Sequence, residues 1–189
     1  MNLQKINVKI YLEKGQEIPM NTFIPIFHRF IQKNLLEGML VDVAEYTHVH
    51  EGPGVLLIAH EGNYSVDETE GRRGMLYNQK RAPAKGGEDH LKTALRRALK
   101  ACEVLEKEPE LAGKLKFNPS RLRIFVNDRL ETSNKNRGFS ELEEVIRPLF
   151  EKLSGSSIKL VPEMEPQKLT GFEVEIEKPL TVQDLIGKV

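Results

Sequence analysis

Tryptophan is absent from this chain, and cysteine occurs once, at Cys102. A lone cysteine cannot close an intramolecular disulfide, and it excludes any metal site built from several thiolates. No apolar run approaches the roughly 20 residues that a membrane-spanning helix needs, so no membrane partner is expected. The opening stretch MNLQKINVKIYLEKG puts Lys5 and Lys9 inside its apolar positions, which is not how a signal peptide is built. Excess charge is missing too: 28 basic residues balance 28 acidic ones. A general nucleic-acid binder carries a basic surplus, so no nucleic-acid partner is expected. No strand runs into a dinucleotide or mononucleotide glycine fingerprint, no serine has a nucleophile-elbow context, and no period marks a repeat. No cofactor is identifiable on these grounds. The remaining expectation is a cytoplasmic protein forming one domain over residues 1–189, with 39% apolar residues to build a core.

Periodicity supplies the elements. Ile6, Val8, Ile10 and Leu12 alternate with Lys5, Asn7, Lys9 and Tyr11, the pattern of a half-buried strand. Asn21 or Thr22 then starts a helix whose apolar face is Phe23, Ile24, Phe27, Phe30, Ile31 and Leu35, stopping at Gly38. A second strand from Met39 runs into the histidines, and the apolar run 55–60 is short enough to be a buried strand. Weaker strand signals follow at 64–67 and 75–77. Gly86-Gly87 opens a long helix to about Glu108, and Leu122, Ile124 and Val126 alternate in a further strand. After a polar loop at 132–138, Ser140 and Glu143 form a capping-box pattern at the head of a helix carrying Pro148. Two strands, 156–162 and 171–177, and a helical turn at 184–186 complete the order. It predicts an α+β fold: a ferredoxin-like βαββαβ core, an antiparallel sheet with helices on one face, extended by a C-terminal αββ unit.

Charge is unevenly distributed along the chain. Residues 37–70 hold eight acids and no Lys or Arg, whereas 71–100 hold nine bases and only Glu88 and Asp89 as acids. The junction, residues 46–81, also holds His48, His50 and His60 and the turn Gly52-Pro53-Gly54. His48 and His50 are two residues apart, which on a strand puts both imidazoles on one face and suits a divalent metal, with His60, Glu61 or Asp67 completing the shell. A polar edge with solvated histidines is the competing reading. His60 and Glu61, at the end of an apolar run, form a candidate catalytic acid–base pair; the alternative is a histidine that merely stabilises the following turn. Arg72, Arg73 and Arg81, with Tyr77 and Asn78, suit an anion, since a guanidinium offers a two-pronged fork. Equally, they can pair with the acids just before them.

Two functions follow. In one, a cleft lined by Tyr46, Asn63, Tyr64, Arg72, Arg73, Tyr77, Asn78 and Arg81 binds a small polar or anionic ligand, with acid–base chemistry through His60 and Glu61. In the other, residues 46–81 form the interface of a homo-oligomer or of a partner complex.

Overall fold

The computed structural model describes residues 5–81, 89–127, 135–165 and 168–189. The alternating run at the N-terminus is strand β1 (Ile6–Leu12), followed by helix α1 (Phe23–Lys33). A meander of β2 (Leu40–Tyr46), β3 (Gly54–Ala59), β4 (Gly62–Asp67) and β5 (Gly74–Gln79) comes next. Helix α2 (His90–Glu106) leads to β6 (Phe117–Val126), and α3 (Lys135–Ser154) to β7 (Ile158–Pro162) and β8 (Thr170–Ile176). Helix α4 (Val182–Ile186) is short. All eight strands join one antiparallel sheet in the order β2-β3-β4-β5-β1-β6-β8-β7.

The fold is thus α+β, but the order departs from a simple βαββαβ unit. Four strands rather than two separate α1 from α2, and the first strand is flanked by the fifth and sixth. One face of the sheet presents Val8, Leu57, Tyr77, Ile124 and Val174, which pack with Phe27, Leu95, Ile146 and Leu185 of the four helices in a single core. Burying such side chains contributes about 1.5–3 kcal/mol each and dominates the stability of the layer.

Local signals explain most boundaries. Pro25 stands in the first turn of α1, where its missing N–H costs nothing. The helix ends earlier than Gly38, because Asn34 adopts the left-handed conformation at φ 49° and its amide returns to Ile31 and Phe30. Asp89 caps α2 by accepting from the amides of Leu91 and Lys92, so the helix begins past the Gly86-Gly87 pair, which lies outside the described residues. Ser140 is not a cap: α3 already includes Lys135, and the S-x-x-E pattern falls inside the helix. Thr181 and Asp184 form a true capping box on α4.

The sheet has an approximate two-fold arrangement about its centre. β1 and β6 are antiparallel neighbours; each is followed by a helix, then by an edge strand, and then by a return to its own flank. Lys9 faces Arg123 across the centre. Gly74 opposes Tyr11 on one side and Gly171 opposes Phe125 on the other. A Cβ on Gly74 would stand 2.6 Å from the Ile10 carbonyl oxygen, and one on Gly171 2.7 Å from that of Ile124. Val8-Lys9-Ile10-Tyr11-Leu12 and Leu122-Arg123-Ile124-Phe125-Val126 are therefore structural counterparts, alike residue by residue in chemical type.

Helix α2 is tied to α4 through Glu103, whose carboxylate accepts from Lys100 (2.7 Å), Lys107 (2.6 Å) and Gln183 (3.0 Å). The Lys100 bond is the largest of the influences that hold its carboxyl down to about 2. A carboxyl depressed in the folded state stabilises the fold above its unfolded value, about 4.3, and that contribution disappears as the pH falls through the folded one. Thermal melts of wild type and Glu103→Gln between pH 7 and 2 should therefore diverge most at neutral pH and converge in acid. Parallel curves would show that Glu103 has no coupled role.

Candidate functional site

The second face of the sheet is polar and still covered. β1 is buried on both sides: Asn7 is 0% and Lys9 2% exposed, and neither points into the apolar core. Residues 68–73, between β4 and β5, and Glu163 and Lys168, between β7 and β8, carry the groups that bond across this face. Lys9 donates to Asp67 and to the Thr69 carbonyl (3.3 Å). Its counterpart Arg123 donates to Glu163 (2.8 Å) and lies 3.4 Å from Glu70. Lys168 then joins the two connections by bonding Glu70 (3.3 Å). Glu70 occupies the left-handed region at φ 64°, a conformation uncommon for a residue with a side chain and sustained here by its two cations.

Charges this deep are costly unless paired. Burial pushes the Lys9 ammonium below the usual lysine range, only partly opposed by Asp67. Burial likewise raises the Glu163 carboxyl, against the pull of Arg123. Rings flank the network: the Arg72 guanidinium stacks 4.3 Å from the Tyr11 ring centre and Arg123 4.7 Å from that of Phe125. Arg72 also bonds Glu173 and the Tyr11 hydroxyl, which in turn donates to Glu173 (2.6 Å).

Beside this network, at the carboxyl end of β1, lies a cavity of about 430 Å³. Lys14, Arg72, Arg73 and Arg121 line it, with Tyr11, Gln16, Asn118 and a single acid, Glu13. Arg73 is held by Glu68 (Nε, 2.8 Å) and by the Ile18 carbonyl, and Arg121 reaches Glu175 at 3.4 Å. Its side chain remains half exposed.

The residues singled out within 46–81 do not form one cleft. Tyr46, His48 and His50 are exposed at the β2–β3 hairpin. The two histidines occupy a turn rather than a strand, so the alternation that would have aligned them does not apply, and the His48 ring stacks near Tyr46 (6.4 Å between centres). His60 and Glu61 follow β3 at the end of the sheet away from the cavity. The His60 side chain is 47% exposed, its Nδ1 lies 3.9 Å from Glu61, and its Nε2 lies 2.6 Å from the Arg81 guanidinium. An arginine can only donate, so that contact assigns Nε2 as the acceptor. Glu61 accepts from the Met39 amide (3.0 Å), which with its own backbone amide lowers its carboxyl despite partial burial.

At this same end, Tyr64 and Tyr77 are buried on the helix face with ring centres 4.9 Å apart. Tyr64 donates to the Glu37 carbonyl (2.9 Å), and the Tyr77 oxygen accepts from Arg97 (2.6 Å). Burial pushes both phenols up, so both stay neutral and act as braces. Asn63 and Asn78 face each other on the polar side, in line with Asn7. Arg72 and Arg73 lie at the opposite end from Arg81, beside the cavity. Lys9, Tyr11, Arg123, Glu163 and Glu173 were not singled out from the sequence; the likeness of the β1 and β6 pentapeptides could have signalled the first three, and nothing local marks the two glutamates.

Among the described residues no three His, Cys, Asp or Glu side chains are grouped to hold a metal ion, and no helix is long and apolar enough to cross a membrane. Comparison with protein-family models, curated proteins and solved structures gave no match.

The Lys9–Asp67 pair makes a sharp prediction. Removing one buried partner strands the other, so Lys9→Met or Asp67→Leu alone should each cost about 3–5 kcal/mol. The double variant, which strands neither, should recover much of that loss in urea denaturation. Additive single losses would show that the two side chains do not depend on each other.

Proposed function

We propose that the chain binds a small anionic ligand, such as a phosphate ester or a carboxylate, in the cavity at the carboxyl end of β1. What supports this reading is one observation: four cationic side chains against one acid line a space of about 430 Å³, a volume in the range of small-molecule sites. Arg72 is preset by Tyr11 and Glu173, and Arg73 by Glu68 and the Ile18 carbonyl, so neither loses much freedom when a ligand arrives. Lys14 and the half-exposed Arg121 are the groups placed to close on it. Of the 46–81 segment, only Gly71, Arg72 and Arg73 contribute. The setting proposed with this function is the cytoplasm. The fold reading that accompanies it treats β1 to β6 as a ferredoxin-like unit with two strands added to its central hairpin, because β6, β1, β5 and finally β2 keep that order.

Lys14 and Arg121 test the site without disturbing the buried network. A ligand present at a hundredfold excess over Kd stabilises the native state by about 2.7 kcal/mol, which for a chain of this size raises Tm by roughly 5–10 °C. Inorganic phosphate and a phosphorylated sugar should raise the wild-type Tm in this way, chloride at equal ionic strength should not, and Lys14→Glu with Arg121→Glu should abolish the difference. Equal shifts with chloride, or equal shifts in the double variant, would defeat the proposal.

A further inference from the structure

The sheet ends on one side at β2, whose outer edge carries no partner strand among the described residues. The Val43 amide does not enter the ladder with β3; it points outward and is bound by the Asp42 carboxylate of its own strand (2.8 Å). By the alternation of an antiparallel pair, the Glu45 amide points the same way. Met39 and Val41 are 66% and 58% exposed, Tyr46 41%, and the strand holds Asp42 and Glu45 with no Lys or Arg from residue 34 to 71. Exposed edges are usually blunted by charge, proline, a bulge or a very short strand. β2 has seven residues without Lys or Pro, its charges are both acidic, and its one register slip, between Leu40 and Asp42, leaves 42–46 regularly paired.

We propose that β2 is a docking edge for an extended segment of another protein that pairs with it as a ninth strand and carries two cations three residues apart between apolar residues. The spacing follows from the register. Asp42 opposes Ile58 and Glu45 opposes Val55, so the two acids lie on opposite faces of the sheet, and an added antiparallel strand meets them at positions three apart. The cation facing Asp42 draws its carboxylate away from the Val43 amide, and that amide then donates to a carbonyl of the incoming strand. Apolar residues of the segment cover Val41 and Ala44. This surface is independent of the cavity, which lies at the carboxyl end of β1.

The probe is a fluorescent peptide, acetyl-Thr-Lys-Val-Ile-Lys-Val-Thr-amide, read by anisotropy against the full chain, with a version carrying Glu at both Lys positions as control. The Lys peptide should bind saturably below about 1 mM and more weakly as salt rises, and the Glu peptide should not bind. Glu45→Pro removes an outward donor without touching the β3 ladder and should weaken binding at least about tenfold. Asp42→Lys with Glu45→Lys should reverse the preference, favouring the Glu peptide; circular dichroism and Tm of both variants verify that they fold. No saturable binding, binding indifferent to Glu45→Pro, or no reversal by the double lysine variant each overturns the proposal. So does a wild-type dimer in sedimentation that Glu45→Pro dissociates, because the occupant is then a second copy of this acidic edge.

Discussion

Lys9 is a charged side chain on an interior strand of the sheet that is buried on both faces, and its pairing constrains everything built around it. An ammonium cannot stay charged at 2% exposure without a nearby carboxylate, so Asp67 must arrive from β4 in the one register that places it there. Arg123 imposes the same demand from β6 and is answered by Glu163 and Glu70. The β4–β5 connection at 68–73, together with Glu163 and Lys168, is therefore fixed at points set by charge, whereas the helix face is fixed by apolar volume. The left-handed Glu70 and the joining Lys168 follow from satisfying Arg123, and Arg72 stacks beside them on Tyr11.

The same arrangement accounts for the unevenness of charge along the chain. Part of the acidic stretch does meet the basic one that follows it: Arg73 bonds Glu68, and Arg96 bonds Glu37. Other pairs reach much further, from Arg72 to Glu173 and from Glu70 to Lys168. Local neutralisation and long-range closure thus coexist, and the three arginines lining the cavity are positioned by acids that lie outside its walls.

How much of this was legible in the sequence differs by element. The alternation in β1 gave the strand and its core face correctly, but period two cannot reveal whether the other face is covered. Asn7, Lys9 and Tyr11 read as solvent-facing because the segments that cover them are remote in sequence. Residues 55–59 were legible as a buried strand from apolarity alone, but His60, read as its last residue, lies beyond the strand and is exposed. His48 and His50 were misplaced on a strand because the pattern could not show where β2 ends; the Gly52-Pro53-Gly54 turn begins earlier than its own residues. Ser140 and Glu143 matched a cap by spacing, but helix α3 starts upstream of them. Arg72 and Arg73 were legible as adjacent guanidinium groups and line one cavity, while the division of residues 46–81 between two ends of the sheet required knowing that β4 and β5 run its full length.

The position of β1 bears on how the chain acquires its structure. It is synthesised well before its two partners, β5 and β6, with Asn7 opposite Asn78 and Ile6 opposite Val126. These are contacts of high sequence separation, whose loop-closure entropy is met before any ladder energy is returned, and such topologies fold slowly. The meander β2 to β5 closes through neighbours and can form early; β1 is flanked on both sides only after β6 has been synthesised. Until then Ile6, Val8 and Ile10 are an unpaired apolar strand with Lys9 at its midpoint. The ammonium that is costly to bury in the native sheet is fully hydrated in the nascent chain, where it opposes premature association of that strand with others.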